Sequence, residues 1–461
     1  AVIAQMTHLT EILGVKESFE LTDKLMSALA DPAARVSLFE RYLATAPDLS
    51  CDHFLDEFQQ SAAASKTLNQ DFSPPAIGQL VAEITGSAQH VADICAGTGS
   101  LSVAQWAKNS NVRIEAEEFS RAAVAVLLFN YGVRNARAIV KHTDCLTGEV
   151  FAAWQLTPGD RFSDMVALDH QRIDAPQADV VVSNPPYSAT WNPVHDARFA
   201  GFGLPPKSKA DFAFILHGLS KLDDNGTLVA VLPHGVLFRG QSEGAIRKKL
   251  IESNWLDAVI GLPDSLFLHT DIPTCLLVFK KNRPDKDVLF IDASDLCVKD
   301  RAKKRILPAH IAEIATAYRL RRGIEKLASV VTVAEIERND FNLNIPRYVD
   351  KFEHEPPVPL NETVDELMRI QQEIRKTNHA LLDSMRLLAS ADGVDAEFKT
   401  TIEKFAQYVA LADEPIHLHG GDGGTATAAD MDALSSAIDL TEQEIEQFKN
   451  MKQYFLEKMF V

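Results

Sequence analysis

Between residues 70 and 345, short apolar runs alternate with segments of helical spacing. The runs at 90–94, 112–116, 138–141, 179–183, 227–232, 258–262, 275–279 and 288–291 have the length of buried strands and are predicted as such. Helices are predicted between them, for example at 122–129 and 212–222. Strands alternating with helices make βαβ units, hence an α/β fold with a Rossmann-like, mainly parallel sheet. Ligands of such a sheet sit beyond the carboxyl ends of its strands.

The flanks are helical. Leu21, Leu25 and Leu29, then Val36, Phe39 and Leu43, recur at three or four residues, and Pro32 and Pro47 divide the segment into short helices. Residues 353–359 are acidic and proline-rich and read as a linker. Beyond it Leu367, Ile374, Leu381 and Leu388 fall every seven residues, with Val364, Gln371, Asn378 and Met385 as the complementary seam. This predicts a coiled-coil helix whose Asn fixes register with a partner; an amphipathic helix packed on its own domain is the other reading. A final helix at 442–460 carries Ile445, Phe448, Met451, Phe455 and Met459 on one stripe and is expected beside it. Between them His417 and His419 border a glycine-rich stretch read as a solvated loop. The expected partition is 1–66 helical, 67–350 α/β and 351–461 helical.

Composition narrows this little. Hydrophobic residues make up 46% and charged residues 24%, as in soluble globular chains. No apolar run reaches the ~18 residues of a membrane helix, and residues 1–10 lack the pattern of a secretion signal. Five scattered cysteines without a Cys-x-x-Cys pair point to reduced thiols and a cytoplasmic setting, and away from a zinc ribbon. Charge changes the picture more. A net charge of -18 is unlike a protein that grips nucleic acid alone. Residues 299–326 break the trend, with nine Lys/Arg against three acids: a solvated helix face, or a phosphate-contacting strip.

The first strand runs into Asp93-Ile94-Cys95-Ala96-Gly97-Thr98-Gly99 and a helix. Gly97 and Gly99 let a ligand approach the backbone. A dinucleotide fingerprint needs a third glycine, and Ser102 stands in its place. Glu118 follows the second strand, near the ~20-residue offset at which a carboxylate meets ribose hydroxyls. Asp144, after the third strand, is placed to accept from an adenine amine. An adenosine without a pyrophosphate fits this order, and S-adenosylmethionine is the candidate. Ser73 is expected to cap the helix that Pro74 and Pro75 begin, and the same loop is placed to close over the cofactor's methionine end.

Val180-Val-Val-Ser-Asn184-Pro185-Pro186-Tyr187 is a buried strand stopped by a double proline. Its stiff tip presents an amide and an aromatic ring. The Asn184 oxygen and the Pro185 carbonyl can accept both N–H bonds of a planar amine while Tyr187 stacks on its ring. A proline-stiffened turn with no ligand is the bland alternative.

Together these segments resemble amino-group DNA methyltransferases, and more closely the modification subunit of type I restriction–modification systems. The likeness covers about 70–349. It is carried by Phe72-Ser73-Pro74, 93–99, Ala116-Glu117-Glu118, Asp144, 184–187, Lys209-Ala-Asp-Phe-Ala-Phe214, 225–233, 266–274 and 342–348. It implies the sheet of S-adenosylmethionine-dependent methyltransferases and methylation of adenine N6 in double-stranded DNA. Phe72, Ser73, Pro74, Asp93, Ala96, Gly97, Thr98, Gly99, Glu118, Asp144 and Cys145 would hold the cofactor, and Asn184, Pro185, Pro186 and Tyr187 would be catalytic. Phe267 would wall the base pocket, with no metal and no covalent nucleophile. In that family a specificity subunit reads the sequence and bundles its helices with the modification subunit, and a restriction subunit joins them. This chain departs from the pattern in having Ile94 after Asp93, a short N-terminal region and an unassigned insertion at 145–179. Methylation of cytosine N4 or a protein glutamine, and a non-catalytic assembly role, are the competing readings.

Overall fold

Strand β1, His90–Ile94, buries four residues in succession, as a strand covered on both faces must. Its parallel neighbours are β2 (Arg113–Glu118) and β6 (Ala178–Ser183). Around them the computed structural model carries an eleven-stranded sheet. Beyond β2 lie β3 (Arg137–Asp144), β4 (Glu149–Pro158) and β5 (Ser163–Ala167). Beyond β6 come β7 (Leu222–Pro233), β9 (Thr274–Lys280), β8 (Leu256–Gly261), β10 (Val288–Asp292) and β13 (Ala328–Val331). The run β3-β2-β1-β6-β7 is parallel, as is β8 with β10. The remaining pairings are antiparallel. Strands β11 (Val298–Asp300) and β12 (Lys303–Arg305) pair apart from this sheet as an antiparallel ribbon. The structure describes residues 9–15, 20–54, 73–169, 176–267, 270–300, 303–351, 360–390 and 396–413.

The insertion at 145–179 resolves into the β4–β5 hairpin. It extends the sheet antiparallel to β3, and the Asn135 side chain holds its turn through both the N–H and the carbonyl of Gly159.

Helices cover both faces. On one, α4 (Pro75–Thr85), α5 (Ser100–Lys108), α6 (Arg121–Val133) and α9 (Pro308–Leu320) share an apolar core with the strands. On the other, α7 (Asp211–Lys221) and α8 (Gln241–Glu252) do the same. The N-terminal helices α1 (Leu9–Leu13), α2 (Leu21–Ala30) and α3 (Pro32–Leu43) belong to this body. Tyr42 and Phe54 each set their rings 5.2 Å from Phe129 of α6. Ser73 does not cap α4: the cap position is Pro74, with Pro75 at the first turn and no side-chain bond.

Packing divides the chain into Ala1–Glu353 and His354–Val461. In the second unit α11 (Leu360–Ala389) pairs with α12 (Ala396–Ala412). The seven-residue leucine stripe is not its buried seam, since Leu367 and Leu388 are exposed. Asn378, Leu382 and Met385 are buried instead, the latter two against Ile402, Phe405 and Val409 of α12. Burial follows the cover that α12 provides on the same chain: Gln371 is exposed, and Leu382 belongs to neither stripe. The 353–359 linker, His417, His419 and the final helix lie outside the described residues. Among the described residues no helix is long and apolar enough to cross a membrane.

Candidate active site

Register brings the two sequence motifs together. Ile94 at the end of β1 pairs with Ser183 at the end of β6, and the Ser183 hydroxyl donates to the Ile94 carbonyl at 2.8 Å. The glycine loop and the Asn-Pro-Pro-Tyr tip therefore leave the sheet side by side. Helical crossovers leave β1 and β6 on opposite sides, which is the topology that opens a crevice at the strand ends.

The glycine loop is shaped by local backbone. Cys95 and Gly97 both adopt φ +58°, and Gly99 adopts φ +97° at the cap of α5. A Cβ on Gly99 would stand 2.7 Å from Leu127 Cδ1, so packing as well as conformation requires glycine there. The Gly97 N–H donates to Glu118 Oε2 at 2.8 Å, and the Ser120 N–H to Oε1 at 2.6 Å. Glu118 thus braces the loop while facing the crevice.

Two adjoining cavities follow. A narrow one is lined by Ser73, Ala96, Gly97, Thr98 and the prolines of the tip. A cleft of about 540 Å³ is lined by Phe119, Asp144, Cys145, Tyr187 and Trp191, among others. Both touch Cys95, Glu118 and Pro186. The cleft is large enough for a nucleoside, and the narrow arm suits its substituent.

Asp93 is 1% exposed. Its Oδ2 accepts from the Ser102 N–H at 3.2 Å, and its Oδ1 has no partner. Burial pushes its carboxyl up to about 7, opposed by the Ser102 bonds. Asp93 lines neither cavity, and its oxygen lies behind the loop; the carboxylates of Glu118 and Asp144 on the cavity walls are the acceptors that fit the hydroxyl and amine groups of S-adenosylmethionine. Asp144 Oδ1 accepts from Leu146 N and Thr147 N at the mouth of the cleft. Thr98 donates its hydroxyl to Asp52, whose other oxygen accepts from Asn130 at 3.0 Å. Pro74 stands at the start of α4 outside both linings, and Phe72 lies outside the described residues.

The tip is tied at both ends. Tyr187 donates its hydroxyl to Asn184 Oδ1 at 3.0 Å. Ser188, at φ +50°, gives its N–H to Asp211 Oδ1 at 3.0 Å, and Arg239 grips Asp211 Oδ2 at 2.5 Å. Phe267 is fully buried and stands edge-on to Tyr187, with centroids 6.2 Å apart.

Sequence reasoning missed Phe119, Asp211 and Arg239. Phe119 follows Glu118 with its ring 51% exposed at the cleft; an apolar residue just after the acid that ends the second strand was its signal. Asp211 lies within the Lys209–Phe214 string, whose family likeness carries no role for any one residue.

Beneath the cleft lies a buried charge network. Glu117 Oε2 accepts from His217 Nε2 at 2.7 Å and Oε1 from Lys221 at 2.7 Å. Glu115 holds Lys141 at 2.6 Å and Lys221 at 3.0 Å. Burial raises the Glu117 carboxyl, but His217, Lys221 and Lys141 outweigh it and hold it far below the usual carboxylate range. Arg198 donates to His217 Nδ1 at 2.9 Å. Guanidinium only donates, so the imidazole proton is on Nε2, toward Glu117. Glu117, Cys145 and His217 lie close enough to share an ion, yet this tautomer directs a proton, not a lone pair, into that space. Cys95 is hydrogen-bonded to Cys145 and half-buried, and both effects push its thiol well above its usual range.

A family model described as N-6 DNA Methylase matches residues 51–356, more than half of the chain. The chain is 32% identical to the methylase subunit of the type I restriction enzyme MpnII of Mycoplasma pneumoniae, over 68% of this chain and 59% of that one. It is 30% identical to the HindI methylase subunit of Haemophilus influenzae, over 70% and 72% respectively. A solved type I restriction–modification methyltransferase subunit from Streptococcus thermophilus superposes with TM-score 0.57 at 30% identity, covering 75% of this chain and 80% of that one. The chain spans less than two thirds of the Mycoplasma relative's length. With the matched region covering both loops of the crevice, the chain belongs to the N-6 DNA methylase family.

Proposed function

We propose that this chain transfers a methyl group from S-adenosylmethionine to adenine N6 in double-stranded DNA, as the modification subunit of a type I restriction–modification complex. The observation that carries this reading is the Ile94–Ser183 register, which sets the cofactor loop against the Asn-Pro-Pro-Tyr tip around shared cavity walls. When bound, S-adenosylmethionine supplies an electrophilic methyl group on its sulfonium. Glu118 holds the ribose hydroxyls, Phe119 the adenine face, and Ser73, Ala96 and Gly97 the methionine end.

The target base leaves the duplex to reach the tip. Its amino lone pair is conjugated with the ring and is a poor nucleophile. The Asn184 oxygen and the Pro185 carbonyl accept its two N–H bonds, favour a tetrahedral nitrogen and aim its lone pair at the methyl group. Asn184 Oδ1 has two lone pairs; Tyr187 uses one and fixes the direction of the other. Tyr187 stacks on the base, worth about 1–3 kcal/mol, and Phe267 supports the ring from behind. This is positioning and electrostatics. Cys95 stays a thiol and takes no part as a nucleophile. Exposed Leu367, Met368, Ile370, Leu387 and Leu388 on α11 suit the helices of a specificity subunit, and a restriction subunit completes the complex.

The test is transfer of tritiated methyl from the cofactor to DNA, with and without a co-expressed specificity subunit, followed by nucleoside analysis. N6-methyladenine is expected. Label in cytosine or in a protein glutamine would replace the reading with its rivals. Asn184→Ala should abolish transfer while calorimetry finds cofactor binding intact, and Glu118→Ala should weaken that binding.

A further inference from the structure

A second cleft, of about 520 Å³, opens where α8 meets the turn that follows α10 (Val333–Arg338). Its lining includes Arg247, Lys248, Arg338 and Arg347 against a single acid, Asp340, with Phe238 49% exposed at its edge. In a chain of net charge -18 this cleft carries four cations against one acid. By contrast, the basic strip at 299–326 is largely neutralised: Lys303, Lys304, Arg305, Arg319 and Arg321 all sit in ion pairs.

Of the cleft cations, Lys248 pairs with Glu252 at 3.7 Å on an exposed helix face, but the arginines are differently placed. Arg247 is 5% exposed and is held by carbonyls rather than carboxylates, those of Phe341, Val236 and Arg239. Burial lowers its guanidinium to about 10. Among the described residues Arg338 and Arg347 join no ion pair. Helix α8 begins at Gly240 with no side-chain cap, so its first N–H groups face the same space. The cleft also adjoins the tip through one residue. Arg239 gives its carbonyl to Arg247 on the cleft wall. Its guanidinium reaches Ser188 at 3.3 Å and Asp211 at 2.5 Å, directly behind Tyr187.

We propose that this cleft binds the DNA backbone beside the extruded adenine, taking phosphodiesters between Lys248, Arg338 and Arg347, with Phe238 against the flanking nucleotide. The proposal rests on the function proposed above. It says where an acidic chain meets its polyanionic substrate, and that the meeting point lies on the exit side of the catalytic tip.

The test uses the full chain in complex with the specificity subunit, and measures anisotropy of a labelled duplex bearing the target adenine across a salt series. In Arg338→Gln/Arg347→Gln the slope of log affinity against log salt should fall by about 1.8, at about 0.9 for each phosphate left without its arginine. Between about 50 and 200 mM salt, wild type should therefore lose roughly tenfold more affinity than the variant. Lysine at both positions should restore the slope. Lys248→Gln, on an exposed helix face, should give about half the change if the double variant fails to fold. Wild-type slope and affinity in these variants, within a complex that methylates DNA, would overturn the cleft and leave the function standing. A wild-type complex that neither binds nor methylates DNA would overturn both.

Discussion

Replacing Asp93 by Asn makes the cost of this buried carboxylate measurable. Burial raises its pKa from 3.8 to about 7. Between those values the folded protein holds a proton that the unfolded chain has released, so stability falls as pH rises. Integrated from about pH 5 to pH 8, the loss is about 2.5 kcal/mol. In Asp93→Asn the side-chain oxygen still accepts from Ser102, but the amide places two donors where Oδ1 has no partner. That costs about 1–3 kcal/mol at every pH. The variant should therefore be less stable than wild type at the acidic end, and should gain on it by about 2.5 kcal/mol toward the alkaline end. Urea unfolding followed by tryptophan fluorescence measures this in the right place. All four tryptophans (106, 154, 191 and 255) lie in the first unit, so the signal excludes the C-terminal helices. A wild-type-minus-variant difference that is flat across pH would refute the reasoning.

Three further outcomes are expected. Lys221→Met leaves Glu115 and Glu117 sharing Lys141 and should destabilise by about 3–5 kcal/mol, because one charge of a buried set is then uncompensated; urea unfolding checks it. Phe119→Ala should reduce cofactor affinity about tenfold through weaker stacking, with calorimetry as the measure and an unchanged unfolding midpoint as the control. Asn378→Leu should stabilise the α11–α12 pair by about 1–3 kcal/mol, since its buried amide nitrogen has no partner; helical circular dichroism on heating reads this, and a lower midpoint would show that the amide is satisfied.

The sheet was legible because its strands are short, apolar and punctuated. Residues 90–94 form β1 with the expected bounds, and 179–183 extend by one residue into β6. The β4–β5 hairpin was not, because it is an edge element whose burial alternates and whose register depends on β3. Local motifs gave Asn184, Gly97 and Glu118. They did not give partners: Glu117 meets His217 a hundred residues away. Three acids crowd β2, and strand alternation decides their fates. Glu115 and Glu117 project to one face, into Lys141 and Lys221, while Glu118 turns to the glycine loop. Spacing identified Glu118, but only topology could bring α7 over the other two. The C-terminal helix misled for a related reason: a seven-residue period marks a seam without saying what covers it, and the helix that follows on the same chain covers part of it.

One structural requirement links these features. A reaction run by positioning tolerates little movement of the acceptor groups, since small displacements cost large factors in rate. The double proline stiffens the tip along the chain, but cannot fix it relative to the cofactor loop. That is done from outside the motif. Ser183 fastens the entry to β1, and Asp211 fastens the exit to α7. Arg239 then bridges Asp211, Glu243 and Ser188, with both carboxylates buried. Asp211 is fully enclosed, so its charge depends on Arg239, and loss of Arg239 would leave it uncompensated. The exit of the tip is thus held by the residue whose carbonyl anchors Arg247 on the wall of the cationic cleft. A phosphodiester seated there would load the same arginine that fixes Ser188, so grip on the DNA backbone and alignment of Tyr187 share one mechanical element.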